Sequence, residues 1–162
     1  MAKTYRVTFA VRLTNWAVAA LLRAGVNMGP MTLLTVRGRK SGQPRTTPVA
    51  IGERDGQRYV VGTFGEVNWV RNLRAAGEAT LRRGRRVEQV SVIELPPAEA
   101  APILRRILGT APRFIRGYFD VTPASSLEEF EREAPRHPLF RIQPAGEHTK
   151  DAARDTVNSG TF

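Results

Sequence analysis

Cysteine is absent from this chain of 162 residues, and histidine occurs only as His137 and His148. Without cysteine there is no disulfide, no thiolate nucleophile and no iron–sulfur cluster, which fits a reducing, cytoplasmic setting. The histidines have no metal-ligand spacing around them, so neither a zinc site nor a Ser-His-Asp triad is expected. Both are predicted to be surface residues. Long apolar runs are also absent, so no segment is expected to span a bilayer.

Acidic residues are scarce relative to basic ones. There are 25 Lys and Arg against 15 Asp and Glu, which gives a formal net charge of +10. Such a balance suits an anionic partner, whether a small molecule, nucleic acid or a membrane surface. The carboxylates that cluster are predicted to form a solvated helix face: Glu128, Glu129, Glu131 and Glu133. With so few candidate acids and bases, an enzyme of this sequence would depend on a cofactor for its chemistry.

The most distinctive segment is a basic turn, residues 38–45, between predicted strands at 33–36 and 46–51. It combines turn-forming residues with positive charge, as Gly38, Arg39, Lys40, Ser41, Gly42, Pro44 and Arg45. Glycines allow close backbone approach, and amides with cationic side chains suit a phosphate. We therefore predict an anion-binding turn, with a solvated basic turn as the alternative. It is not a Walker loop, because Arg39 occupies the position of the required glycine and the segment joins two strands.

The remaining chain is predicted to alternate strands and helices. The Asp55-Gly56 pair indicates a hairpin, and a short helix is expected over residues 68–75. Strands follow at 79–82 and 86–95, and a helix is expected over 96–108. Ser126 and Glu129 have the spacing of a capping box for a helix that ends near residue 134. Residues 139–143 are expected to form the closing strand.

Two motifs carry a resemblance to a known family: Gly38-Arg39-Lys40-Ser41-Gly42 with Pro44, Arg45 and Pro48, and Trp69 with Asn72-Leu73. At this separation they resemble the deazaflavin-dependent nitroreductase family, known mainly from actinobacteria. The resemblance implies an α+β fold, a split β-barrel of the FMN-binding or pyridoxamine-phosphate-oxidase type with flanking helices. It also implies the coenzyme F-420 and hydride transfer from the reduced deazaflavin to a quinone, enone or nitro compound. The chain is predicted to divide into an N-terminal amphipathic helix (1–28), a cofactor-binding barrel (29–145) and a polar tail (146–162).

The same resemblance assigns binding residues position by position. The residues implied for the phosphate and acidic tail of the coenzyme are Arg39, Lys40, Ser41 and Arg45. Those implied beneath the deazaflavin ring are Thr47, Pro48 and Val49. The opposite wall is assigned to Gly62, Thr63, Phe64 and Gly65, and the short helix contributes Trp69 and Asn72. No catalytic residue is assigned; a family tyrosine that aids the substrate step aligns with Phe130, and Tyr118 is the alternative.

Two departures from the family pattern bear on the acceptor. Members that reduce bulky nitroimidazoles have Asn where this chain has Thr47, and Ser-Lys where it has Phe64-Gly65. We therefore expect quinones and activated enones to be better acceptors than bulky nitroimidazoles. An FMN oxidoreductase on the same fold remains an alternative, as does a basic, non-enzymatic module for nucleic acid or membrane. Nucleic acid is not expected, because aromatic residues are not interleaved with the basic patches.

The N-terminal helix, predicted over residues 9–22, is amphipathic. Its apolar stripe consists of Phe9, Leu13, Trp16, Ala17, Ala20 and Leu21, and its basic flanks of Lys3, Arg6, Arg12 and Arg23. We expect the stripe to pack on its own barrel or on a second subunit, which leaves a monomer or a homodimer open. The alternative is peripheral contact with an anionic membrane at its cytoplasmic face.

Overall fold

A computed structural model of the protein describes residues 8–146. The predicted polar tail, apart from Gly146, lies outside the described residues, and so do His148 and the flanking residues Lys3 and Arg6.

Within the described residues, six strands and five helices follow one another along the chain. The strands are β1 (Met31–Arg37), β2 (Pro44–Arg54), β3 (Gln57–Val61), β4 (Glu78–Arg83), β5 (Arg86–Glu94) and β6 (Leu139–Pro144). The helices are α1 (Phe9–Arg23), α2 (Asn68–Ala76), α3 (Pro97–Thr110), α4 (Arg113–Arg116) and α5 (Leu127–Glu133), with a 3-10 turn at Ala134–Arg136. Each element expected from the sequence is present, within a few residues of its predicted bounds.

The strands close into an antiparallel barrel in the order β1-β2-β3-β6-β5-β4. Strand β6, which comes late in the chain, inserts between β3 and β5. Inward-facing apolar side chains such as Leu34, Val60 and Phe140 fill the barrel. Helix α2 adds Val70 and Leu73, both fully buried, to the same core. The predicted fold class, a split β-barrel with flanking helices, is confirmed.

Two local sequence signals have the expected structural basis. Asp55 and Gly56 form a two-residue turn in which both φ angles are positive, 51° and 74°. This geometry matches the twist of the strands that it joins. At α5, the Ser126 hydroxyl accepts a hydrogen bond from the Glu129 N–H, and the Glu129 carboxylate accepts one from the Ser126 N–H. The predicted capping box is therefore formed.

Helices α3 and α5 cover the outer face of the barrel around Tyr59 and Leu139. Phe130 of α5 lies at the centre of this helical layer with 0% of its surface exposed. The suggestion that Phe130 lies on the substrate side is thereby corrected, because a side chain enclosed by its own core offers no surface to a substrate.

Helix α1 packs on the barrel through a different stripe from the one expected. Ala19 and Leu22 are buried against Leu33 of β1. By contrast, Phe9 is 82% exposed and Trp16 is 66% exposed. The expectation that the apolar stripe packs on its own barrel is wrong for these residues. None of the helices over residues 8–146 has the length and apolarity that a membrane span requires.

Candidate functional site

A cavity of about 800 Å³ opens between the basic turn, the start of β2 and α2. Its lining residues come from those elements and from the end of α1: Arg23, Gly38, Arg39, Lys40, Ser41, Pro44, Arg45, Thr46, Thr47, Asn68, Trp69 and Asn72. None of these described lining residues is acidic. The structure thus brings together the predicted tail-binding residues and both predicted residues of the short helix.

The basic turn is shaped by its own backbone. The Gly38 N–H donates to the Gln43 carbonyl at 2.8 Å, and the Gly42 N–H donates to the Gly38 carbonyl at the same distance. A Cβ at Gly38 would lie 3.0 Å from the Ser41 Oγ and 3.1 Å from the Gln43 carbonyl oxygen, so glycine suits this tight turn. Gly42 has a φ of +69°, which a side chain would strain. The two glycines therefore keep the turn narrow.

Asn72 connects α2 to the basic turn. Its side chain is 6% exposed, and its Oδ1 accepts hydrogen bonds from the Arg39 N–H at 3.2 Å and from the Arg39 Nη1 at 2.8 Å. The amide oxygen is neutral, so these bonds fix the direction of the guanidinium without cancelling its charge. Asn72 was predicted to close the pocket, and in the structure it also orients Arg39.

Among the described residues, the cations of the cavity have no acidic partner. Arg23, Arg39, Lys40 and Arg45 form no ion pair with any residue that the structure describes. Some arginines elsewhere on the surface are paired: Arg74, for example, bonds both Glu66 and Glu94. The hydrogen bond from Arg74 lowers the pKa of Glu66. Positive charge at the cavity is thus available to an external anion.

The residues predicted to lie beneath a ring have different surroundings on β2. Thr47 and Val49 share one face of the strand, because alternate side chains point the same way. Thr47 lines the cavity, whereas Val49, farther along, is 6% exposed and belongs to the barrel core. Pro48 pairs with Leu33, whose side chain packs on α1 rather than into the barrel. Pro48 and Val49 are not among the lining residues of this cavity, and their place beneath the ring stays a prediction.

The predicted opposite wall, residues 62–65, does not line the cavity either. A Cβ at Gly62 would lie 3.0 Å from the Val70 side chain and 3.3 Å from Pro138, so the turn packs between α2 and the segment before β6. Phe64 makes an edge-to-face contact with Tyr118 at 4.7 Å between ring centroids. The turn leads directly into α2, which carries Trp69 and Asn72. Its connection to the cavity is through that helix.

Trp69 of α2 has a double role. It lines the cavity, and it also packs against the apolar core of the barrel. Ring contact and ordinary helix packing were the two interpretations of this residue; the packing is observed, and the ring contact stays a prediction.

The expectation for His137 and Glu133 is overturned. His137 is 3% exposed and Glu133 is 5% exposed, so neither is a solvated surface residue. They bond each other at 3.0 Å, and the His137 ring stacks on Phe119 with centroids 3.8 Å apart. Burial lowers the pKa of His137, and the Glu133 carboxylate opposes this shift. Sequence reasoning missed the pair because their burial depends on contacts from distant segments.

Arg23 is the one cationic residue of the cavity that was not assigned to the site from the sequence; the lining residues Gly38, Pro44, Thr46 and Asn68 were not assigned either. It is the last residue of α1, and it was grouped with the basic flanks of that helix. Its position a few residues before β1 was the available signal, since β1 leads into the basic turn.

A second, smaller cavity of about 380 Å³ lies at the opposite end of the barrel. Its charged lining includes an internal ion pair, with Arg58 Nη2 at 2.7 Å from Glu88 Oε1. The pair links β3 to β5 across the barrel, and the hydrogen bond from Arg58 lowers the pKa of Glu88. Because its lining includes acidic residues and this ion pair, this cavity differs from the one beside the basic turn, whose lining residues include no acid.

Comparison with known proteins places this geometry in context. A family model described as F420H(2)-dependent quinone reductase matches residues 9–116. Among solved structures, a chain described as a domain-swapped dimer has a TM-score of 0.51 and 19% identity, and the match covers 83% of this chain and 99% of that one. The F420-H2 dependent reductase FDR-A has a TM-score of 0.48 and 22% identity, with coverage of 70% and 94%.

A FAD-binding protein from Mesorhizobium loti has a TM-score of 0.46 and 17% identity, with coverage of 80% and 88%. At these identities the structural likeness concerns the fold alone. No curated protein sequence matches this chain.

Proposed function

The chain belongs to the F420H(2)-dependent quinone reductase family, and on this premise we propose that it transfers a hydride from reduced coenzyme F-420 to a quinone or another electron-poor organic acceptor. Membership agrees with the family predicted from the motifs at residues 38–48 and 69–73. The oxidoreductase class and the dependence on F-420 follow from the family. The acceptor and the binding residues are our proposal.

The observation that carries the proposal is the uncompensated positive charge at the 800 Å³ cavity. Coenzyme F-420 has a phosphodiester and an acidic polyglutamate tail, and charge-assisted hydrogen bonds from guanidinium and ammonium groups suit both. Gly38, at the start of the narrow turn, also lines the cavity. The residues present therefore fit the coenzyme.

The proposed binding residues divide by chemistry. Arg39, Lys40 and Arg45, joined by Arg23, hold the anionic part of the coenzyme, and the Ser41 hydroxyl adds a neutral hydrogen-bonding group. Thr47 and Trp69 also line the cavity, Trp69 packs against the barrel core, and we assign both to the ring. When bound, the reduced deazaflavin supplies the hydride. The role of the chain is to bind the coenzyme, to orient it and to keep water from the face that meets the acceptor.

The acceptor side is proposed to lie near Phe64 and Tyr118, whose rings contact each other. Phe64 offers neither a hydroxyl group nor a charge to orient a nitro group. A quinone accepts hydride readily and takes its proton from water, so it needs less help from the protein. Misplacement of a reactant by about 1 Å can cost about a hundredfold in rate. Quinones are therefore proposed as the preferred acceptors, with enones next and bulky nitroimidazoles last.

Steady-state assays with reduced F-420 test the preference. We expect turnover of menadione, with a bulky nitroimidazole slower by about tenfold or more. Tyr118→Phe keeps the edge-to-face contact but removes the hydroxyl, and it serves to ask whether Tyr118 aids the substrate step. Equal rates on the two acceptors, or a preference for the nitro compound, would contradict the proposed order.

A titration separates the proposed cofactor from its rivals. The purified protein is titrated in parallel with F-420, with FMN and with a single-stranded oligonucleotide, and binding is followed by absorbance and fluorescence. We expect the tightest binding for F-420. Tighter binding of FMN would reassign the cavity to a flavin, and binding of the oligonucleotide alone would favour the basic, non-enzymatic module.

Peripheral membrane contact through α1 belongs to the same proposal. The exposed side chains of Phe9, Leu13 and Trp16 form an apolar stripe, and Arg12 lies beside it. A helix with this pattern suits the interface of an anionic membrane. Such contact would bring the cavity near lipid-soluble quinones at the cytoplasmic face.

A further inference from the structure

A buried chain of hydrogen bonds fixes the His137 ring at both of its nitrogens. Nδ1 lies 3.0 Å from the Thr63 carbonyl oxygen, and Nε2 lies 3.0 Å from Glu133 Oε1. A carbonyl oxygen can only accept, so Nδ1 carries a hydrogen and donates it. A hydrogen between Nε2 and Oε1 completes the chain, whichever of the two groups holds it. The stacking of the ring on Phe119 leaves it a single orientation.

Glu133 is itself held from two sides. Its Oε1 accepts from the Asp120 N–H at 3.0 Å, and its Oε2 accepts from Arg136 Nη1 at 3.1 Å. Arg136 also pairs with the Asp120 carboxylate. A buried polar network whose members are satisfied in this way is rigid, because each lost bond would leave a group unpaired.

The rigid network meets residues 62–65 at successive points. The Gly62 N–H donates to the Pro138 carbonyl at 2.8 Å, and the His137 ring donates to the Thr63 carbonyl. At Gly65, where φ is +84°, a Cβ would lie 3.5 Å from the Arg136 carbonyl oxygen. The segment 136–138 therefore supports the whole turn, and the His137 side chain supplies the contact at its middle.

The turn at residues 62–65 also determines where α2 begins. The Val67 N–H donates to the Gly65 carbonyl at 2.9 Å, and Val67 is the N-cap residue of α2. The Val67 side chain forms no capping bond, so the helix start depends on the turn that precedes it. The helix carries Asn72, which orients Arg39 in the basic turn. A continuous path of contacts thus runs from His137 to the proposed anion site.

We propose that His137 is a positioning residue: its Nδ1–H bond to the Thr63 carbonyl fixes the turn at 62–65 and, through α2, the geometry of the cavity. This inference rests on the proposed function for its catalytic consequence. The positioning itself is a property of the protein without ligand. It assigns a role to a buried histidine that touches neither the cavity nor the proposed coenzyme.

Three substitutions of His137 separate positioning from mere filling of space. His137→Asn places an amide nitrogen where Nδ1 lies and can retain the bond to Thr63. His137→Gln places its amide nearer the position of Nε2 and can retain the bond to Glu133. His137→Phe keeps a ring to stack on Phe119 but loses both bonds. Asn and Gln both lose the stacked ring, so a difference between them reports the bond that each retains.

The first measurement is hydrogen–deuterium exchange of the protein without ligand. In His137→Phe and His137→Gln, amides of residues 62–72 should exchange about tenfold faster than in the parent, with barrel amides unchanged. In His137→Asn the acceleration should be threefold at most. Uniform acceleration across the barrel in all three variants, or protection by Gln rather than Asn, would overturn the proposal.

The second measurement links the bond to the site. F-420 should bind His137→Phe about tenfold more weakly, and kcat with menadione should fall with it, while His137→Asn should recover to within about threefold of the parent. Unaltered binding and kcat in His137→Phe would overturn the link from turn to cavity. Failure of the parent to bind F-420 would instead refute the proposed function and leave the exchange result to decide the positioning role.

Discussion

At the scale of single residues, position at a cavity marks the site better than the density of charge does. Basic residues occur all along the chain, and the hairpin at Arg82, Arg83, Arg85 and Arg86 is as basic as the turn at 38–45. The turn differs because it lines the cavity of about 800 Å³, where a buried neutral amide, Asn72, orients its Arg39. A carboxylate in that place would bind Arg39 equally well and cancel the charge that an anionic ligand needs.

Substitutions of Asn72 therefore test whether the site depends on the orientation of Arg39 or on its positive charge. Asn72→Asp keeps an acceptor for Arg39 but neutralises it, whereas Asn72→Ala removes the acceptor and keeps the charge. We expect both variants to bind F-420 more weakly, and Asn72→Asp to lose more, by about tenfold or more. Fluorescence titration measures the dissociation constants. A smaller loss for Asn72→Asp than for Asn72→Ala would show that the site depends on geometry rather than on charge.

The cationic residues of the cavity should each contribute to affinity. Loss of one charge-assisted contact costs about 1.5–3 kcal/mol, or about ten- to a hundredfold in binding. Arg39→Ala, Lys40→Ala and Arg23→Ala should weaken F-420 binding by this amount, and added salt should imitate the effect. Arg12→Ala is the matched control for Arg23, because it lies on the same helix but not on the cavity. Arg85→Ala is the control for Arg39 and Lys40, because Arg85 is also basic and does not line the cavity. Losses equal to those of the controls would contradict the assignment.

At the scale of elements, local signals were readable from the sequence and long-range burial was not. The Asp55-Gly56 turn and the Ser126–Glu129 capping box depend on neighbouring residues, so their patterns predicted them. Glu133 is the last residue of α5, and His137 follows four residues later. The partners that cover the His137 ring and bond it, Phe119 and Thr63, come from other segments of the chain. No local pattern contains those partners. The pair was for that reason expected on the surface.

The alternation of β2 gives a second example at this scale. The motif resemblance treated Thr47, Pro48 and Val49 as a continuous stretch beneath a ring. The period of a strand turns Pro48 to the opposite face from Thr47 and Val49. Thr47 lines the cavity, Val49 lies farther along in the barrel core, and Pro48 pairs with Leu33. The motif names the residues, but their surroundings depend both on the face of the strand and on the distance along it.

Helix α1 carries the prediction that belongs to this scale. Since Leu13 and Trp16 are exposed and away from the packed residues Ala19 and Leu22, Leu13→Glu with Trp16→Glu should leave folding and F-420 binding unchanged. The same variant should lose most co-sedimentation with vesicles that contain anionic lipid, because both the apolar contact and the local charge are altered.

Thr14→Glu with Asn15→Glu, on the same helix but in polar positions, controls for charge alone. Equal vesicle binding by parent and Leu13→Glu/Trp16→Glu would refute membrane contact. Loss of a dimer in the variant, measured by sedimentation, would assign the stripe to a second copy of the chain.

At the scale of the whole molecule, the two ends of the barrel differ in how their charged side chains are paired. The end beside the basic turn keeps its cations unpaired among the described residues, which suits a ligand. The other end pairs Arg58 with Glu88 through two hydrogen bonds, of 2.9 and 2.7 Å. A pair between β3 and β5 spans β6, which is the last strand within residues 8–146 and closes the barrel. One end is therefore arranged for binding and the other for stability.

The stability of the barrel should consequently depend on pH through Glu88. Its pKa is lowered in the folded protein by the hydrogen bond from Arg58, so ionised Glu88 stabilises the fold above the pKa of the unfolded chain, 4.5. This contribution is lost as the pH falls through the lower, folded pKa.

Glu88→Gln should reduce the free energy of unfolding by about 1 kcal/mol at pH 7, since the pair is partly exposed. The difference between parent and variant should begin to shrink below pH 4.5 and should vanish below the lower, folded pKa. Urea denaturation between neutral and acid pH measures it, and Glu131→Gln, at an exposed position of α5, is the control. A difference that stays constant down to acid pH would show that the variant acts through packing and that the ion pair does not help to close the barrel.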